Sequence, residues 1–148
     1  MTILNWNTQA SAESHPARPD ATPSGATTGG VTAVLRLEGL LAMGLAVGGY
    51  RLLGHGWPLF ALLFLTPDLS MLGYLFDRRV GAVAYNIGHS YLSPGALALV
   101  GLGLGLPLLW ALALIWVAHI GFDRALGYGL KYPTAFGATH LGRKGRAG

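Results

Sequence analysis

Four apolar runs, each close to the roughly 20 residues a helix needs to cross the hydrocarbon core of a bilayer, follow one another between Val31 and Pro133. The first spans Val31 to Leu53 and holds Gly44 and Gly48 at the GxxxG spacing that favours close helix packing. The second runs from Pro58 to Phe76. The third, Val80 to Leu106, is interrupted by LSPG at Leu92 to Gly95, where Pro94 is expected to break the helix. The fourth starts near Pro107 and ends by Pro133. The fold class expected is therefore all-α: a polytopic four-transmembrane-helix bundle with a broken third helix.

Charge supports the same reading. Only 11% of the residues are charged, against the roughly 25% usual for a soluble domain, so the chain cannot cover a water-facing surface. The mean hydropathy is +0.47. Cysteine is absent, which excludes disulfides, thiolate nucleophiles and sulfur-ligated metal. The basic residues flank apolar runs instead of mixing with aromatics on a soluble scaffold, which points to membrane lipids as partners and away from nucleic acid.

Flanking this domain (residues 31–133), residues 1–30 are rich in Ala, Ser, Thr, Pro and Gly and are expected to form a disordered tail without a secretory signal pattern. Residues 134–148 are expected to be a basic cytoplasmic tail. With four spans, one side of the membrane holds Arg18, Arg36, Arg78, Arg79, Arg124, Lys131, Arg143, Lys144 and Arg146, and the other only Arg51. The positive-inside rule then puts both termini in the cytoplasm of a multi-pass protein. Four short helices also leave room for a second copy, so a homo-oligomer is a candidate assembly.

Polar groups inside lipid normally face a partner within the bundle, and an ionisable one costs about 2.5–3.5 kcal/mol there. Every run carries some: Glu38 in the first, Asp68 in the second, Asn86 and His89 in the third, His119 and Asp123 in the fourth. At about 1.5 Å per residue, Glu38, Asp68 and His89 lie roughly 10–13 Å from the cytoplasmic end, and His119 about 10–16 Å. His119 and Asp123 are one turn apart on one helix face. Two imidazoles and three carboxylates at a common depth form a nitrogen and oxygen ligand set for a divalent metal such as zinc: Asp68, His89, His119, Asp123 and Glu38, with Asn86 and Arg124 in support. Such a metal activates water for hydrolysis. Without metal, the same groups suit a small proton-coupled transporter, or simply join helices in a structural protein. Arg124 is expected to reach out to the headgroups.

The strings PDLSMLGYLFDRRVGAVAYNIGHSYLSPGAL and WVAHIGFDRALGYGLKYPTAFGATHLG resemble the domain of unknown function 4260 family, bacterial integral membrane proteins without an assigned activity. The match covers Arg36 to Gly142 and rests on Tyr-Asn-x-x-His, His-x-x-x-Asp-Arg and GLKYP in that order. It implies the inner (plasma) membrane of a bacterium and the four-span fold. Pro67-Asp68, His89-Ser90 and His119 with Asp123 are also similar to strings in membrane-bound metal-dependent hydrolases, which implies metal chemistry on a lipid-like substrate. This chain departs from them in having Glu38 where they carry a histidine in the first span, and in lacking a His-Arg-x-x-Thr-His-Ser string.

Overall fold

The computed structural model describes residues 26–134 and 136–144. The expected N-terminal tail therefore lies outside the described residues as far as residue 25, as do Arg18 and Arg146 of the charge count. Five α-helices occupy most of what is described: α1 (Gly29–Leu52), α2 (Trp57–Leu63), α3 (Arg78–Gly88), α4 (Leu92–Leu104) and α5 (Pro107–Leu126). A 3₁₀ helix, Thr66–Leu75, separates α2 from α3, and a two-stranded hairpin, β1 (Ala138–Thr139) with β2 (Gly142–Arg143), closes the described chain. Three of the helical stretches are long and apolar enough to cross a membrane: α1, α2 joined to the 3₁₀ helix, and α5. Counting α3 and α4, bent by 45° at their junction, as one broken span makes four.

The bundle is inside out relative to a water-soluble one. Leu37, Leu41 and Leu45, at helical spacing on α1, lie on the outer surface. The residues that α5 buries are mostly small, Ala111, Ala113, Ala118 and Gly121, beside Ile115, His119 and Ile120. Between helices in lipid there is no hydrophobic driving force, so small residues that let backbones approach make the contact. α5 is the central element, packed on α1 and α4. Its crossing with α1 is tightest where Gly39 meets Gly121: a Cβ on Gly121 would come within 2.6 Å of Gly39 O and 2.7 Å of Met43 N. Gly44 and Gly48, the expected packing pair, face open space instead, with nothing within 4 Å of a Cβ on either. The reason is angular, since Gly39 is on the side of α1 that α5 covers and Gly44 is not.

Breaks in the helices fall where the backbone chemistry permits. Pro94 does not split a helix; it lies in the first turn of α4, where its missing N–H is no loss, and the break sits earlier, at His89 to Tyr91. Pro67 likewise stands in the first turn of the 3₁₀ helix. Three residues per turn aligns that helix's side chains in three columns. Thr66, Leu69, Leu72 and Leu75 are all exposed. Pro67, Ser70 and Gly73 face α3, where Ser70 lies against Gly88 and Gly73 against Gly81 and Ala84. Asp68, Met71 and Tyr74 form the third column, half-buried between those two.

α5 ends at Gly127, whose φ of +88° is left-handed and disfavoured for any side chain with a Cβ. The carbonyls left over are taken by cations: Arg36 Nε donates to Ala125 O at 2.8 Å and Lys144 Nζ to Leu126 O at 2.7 Å. Beyond Gly127 the chain folds back under the bundle, and Thr27 N donates to His140 O at 2.8 Å, tying the start of α1 to the hairpin. At the opposite end an apolar cluster of Tyr50, Ala111 and Ile115 packs with Phe60 and Phe64. Gly121→Ala is expected to lower stability in detergent by about 1–3 kcal/mol through overpacking, whereas Gly44→Ala should leave it unchanged or slightly higher; chemical unfolding of both variants tests the crossing.

Candidate metal centre

His89 is the first residue past α3, and its ring is fixed from two directions and its backbone from a third. Nδ1 donates to Tyr85 O at 3.0 Å, which in the neutral ring places the proton on Nδ1 and the lone pair on Nε2. The imidazole stacks on the Tyr85 ring, with centroids 3.8 Å apart and planes 9° from parallel. Trp116 Nε1 donates to Gly88 O at 2.6 Å, anchoring the end of α3 to α5.

Nε2 of His89 then faces three other groups. His119 Nε2 lies at 3.2 Å, Asp68 Oδ1 at 3.3 Å and Asp123 Oδ2 at 3.4 Å. His119 Nε2 is 3.5 Å from Asp68 Oδ1 and 3.9 Å from Asp123 Oδ2. One ligand atom from each of the four residues lies within 4.8 Å of all the others. The α5 helix supplies His119 and Asp123 one turn apart, the 3₁₀ column supplies Asp68, and the break after α3 supplies His89. The Tyr85 hydroxyl donates to Asp123 Oδ2 at 3.3 Å, so Tyr85 alone braces two of the four through its carbonyl, ring and hydroxyl.

The remaining residues named from sequence lie elsewhere. Glu38 is on the exposed surface of α1 and does not join the four. Asn86 braces the chain below the centre: its amide accepts from Lys131 N at 2.7 Å and donates to Lys131 O at 2.9 Å. Arg124 does not extend to the headgroups. It turns inward, where its Nη1 lies 2.8 Å from His140 Nε2 and its Nη2 donates to His89 O at 3.4 Å.

Tyr85, Trp116, Lys131 and His140 are the parts that sequence reasoning missed. Tyr85 precedes His89 by one helical turn and Trp116 precedes His119 by three residues, so helical spacing alone carries a signal for both. Nothing local marks His140 or Lys131, whose places depend on the fold-back after Gly127. Lys131 is 7% exposed, and its Nζ lies 3.4 Å from the Phe136 ring centroid, 4.3 Å from that of Tyr85 and 5.2 Å from that of Tyr74. Burial pulls its ammonium below the ordinary lysine range, opposed by attraction to Asp123 and Asp68.

His140 accepts from Leu130 N at 2.8 Å on Nδ1 while Nε2 faces the Arg124 guanidinium. Burial, then the neighbouring cation, hold this imidazole below its ordinary pKa. A proton taken up by the unfolded chain and refused by the folded one makes stability fall as pH drops. His140's contribution is thus fully present above about pH 6.5 and lost as pH falls from there toward its depressed folded value. His140→Asn, compared with the wild type by thermal unfolding from pH 8 to pH 5, should flatten that part of the profile.

Comparison with known proteins adds a family. The family model described as Domain of unknown function (DUF4260) matches residues 32–144, and the chain belongs to that family. No curated protein and no solved structure matches it.

Proposed function

We propose that this DUF4260 member holds one divalent metal ion, such as zinc, between Asp68, His89, His119 and Asp123, and that the centre hydrolyses a lipid-like substrate. The observation that carries the reading is the set of five separations from 3.2 to 3.9 Å among four nitrogen and oxygen ligand atoms. Bonds of about 2.0–2.1 Å in a tetrahedron place neighbouring ligand atoms about 3.3 Å apart. The donor set fits as well, because the His89 tautomer directs a lone pair into the centre, and imidazole with carboxylate suits zinc and related ions. Glu38 stays outside this ligand set because its side chain is exposed on α1.

The four ligands are not equally accessible. The side chains of His119, His89 and Asp123 are 1%, 3% and 16% exposed, whereas that of Asp68 is 42% exposed. Asp68 is therefore the ligand that gives way to an incoming group. Leu65, three residues before it, and Leu69, the residue after it, are 61% and 63% exposed, so the approach to the centre runs past apolar side chains. Below, the segment from Gly127 onward covers the end of the bundle. A substrate arriving sideways from the bilayer matches this access better than one arriving from water. A metal ion there would act as a Lewis acid and acidify bound water; the chain's part is to hold the ligands in register and keep the far side of the centre dry. In the same reading the protein crosses the inner membrane four times with both termini in the cytoplasm, as the distribution of Arg and Lys favours.

Elemental analysis of purified protein should find about one divalent ion per chain, and none in the Asp68→Ala His119→Ala double variant; wild-type protein without stoichiometric metal after zinc loading would sink the reading. Tyr85→Phe, which removes only the hydroxyl that braces Asp123, should weaken metal affinity about 10–100-fold in a chelator competition while leaving the fold intact.

A further inference from the structure

Four formal charges lie around the centre before any ion enters. Asp68 and Asp123 contribute two negative charges; Arg124, next to Asp123 and bonded to His89 O, and Lys131, over the Tyr85 ring, contribute two positive ones. Among the described residues neither cation has a carboxylate oxygen within 4.0 Å. A divalent ion bound by the two carboxylates would leave this low-dielectric region with an excess of two positive charges. Buried charge of that size demands a counter-ion.

Unmatched hydrogen-bond donors point the same way. The Tyr74 hydroxyl, in the same 3₁₀ column as Asp68, and the Ser70 hydroxyl, packed against Gly88 beside His89, are buried atoms with no hydrogen-bond partner among the described residues. The Tyr74 ring lies 5.2 Å from Lys131 Nζ, and Phe136, itself 54% exposed, covers that ammonium from outside. The two hydroxyls thus belong to the element that supplies Asp68, and the Lys131 ammonium is ringed by Tyr74, Tyr85 and Phe136.

We propose, resting on the metal reading above, that the loaded centre takes a phosphate monoester as its anionic partner, with Lys131 and Arg124 providing the positive field that selects it. A phosphate monoester carries about −1.5 to −2 at neutral pH, which matches the excess. A carboxylate or phosphodiester supplies half of that charge and a neutral ester none. The group reaches the centre either on a lipid headgroup or as free phosphate.

Metal and anion must then favour each other, and by linkage the two effects are equal. The test is zinc affinity of the full chain in zwitterionic nanodiscs, measured alone, with phosphatidic acid in the bilayer, and with inorganic phosphate in solution. A gain of about tenfold or more is expected. A gain with phosphatidic acid only assigns the headgroup, and a gain with inorganic phosphate assigns the free anion as well. Lys131→Met should bind zinc more tightly than wild type when phosphate is absent, because a repelling charge is gone, and should show a smaller gain when it is present. Lys131→Arg, which keeps the charge, should behave like wild type. Zinc affinity indifferent to both phosphate sources overturns the proposal while leaving the metal centre standing. So does a Lys131→Met variant, folded by circular dichroism, that loses zinc affinity and keeps the full gain. Failure of the wild type to bind zinc at all defeats both readings.

Discussion

Hydrocarbon offers no hydrogen bonds, so each polar side chain that this chain carries into its apolar spans has to find a partner on another span or on the chain's own return. Much of the architecture around His89 and after Gly127 answers that demand. His89 is committed at Nδ1 to Tyr85 O, and only because of that bond does its Nε2 turn toward His119, Asp68 and Asp123. The Gly39–Gly121 approach sits within two residues of both His119 and Asp123, so the contact that locks α1 to α5 also sets the height and rotation of half the centre. Were that crossing looser, one turn of α5 would shift and two of the four groups with it.

The 3₁₀ winding of Thr66–Leu75 has a comparable role. Runs of this length are uncommon, because the hydrogen bonds are poorer than in an α-helix. Here the three-residue period sorts the segment cleanly: leucines outward, Pro67, Ser70 and Gly73 onto the glycine-rich face of α3, and Asp68 and Tyr74 onto the edge between. An α-helical period would rotate Tyr74 by about 120° relative to Asp68 away from that shared edge. The winding thus puts a carboxylate at the centre and an aromatic ring at Lys131 from one element.

Much of this was legible in the sequence, for reasons that also explain what was not. Apolar run lengths define the spans, and counting residues from their ends gives depth, which groups Asp68, His89, His119 and Asp123 but takes in Glu38 with them. Depth is one coordinate of two. Rotation about the helix axis depends on which neighbour a face meets, and it separates Glu38 from the group, because Gly39 takes the side of α1 that meets α5. The same missing coordinate explains Gly44 and Gly48, whose spacing suits packing but whose face meets nothing. Pro94 has the chemistry of a helix breaker, yet a proline in the first turn starts a helix equally well. Arg124 had the reach to leave the membrane; it turns in because His140 comes back beneath it, a contact that no local pattern encodes.

The two ends of the bundle are chemically unlike, and the difference bears on how a centre of this kind stays intact in a membrane. At the far end the closure is apolar: Tyr50 packs with Phe60 and sends its hydroxyl only to Gly56 O at 2.7 Å. At the near end the closure is polar and made by the chain after Gly127, whose Lys131 backbone is held by Asn86 and whose His140 is held by Leu130 N and Arg124. Polar closure is costly in lipid but stable next to a headgroup layer, and it lets cations stand near the two carboxylates without collapsing onto them, because the aromatic rings of Tyr74, Tyr85 and Phe136 occupy the space around Lys131. Carboxylates kept free of direct ion pairs retain their oxygens for another partner. An ordinary salt bridge would have satisfied the charges and spent the ligands, so the indirect arrangement is the one that leaves Asp68 and Asp123 able to coordinate.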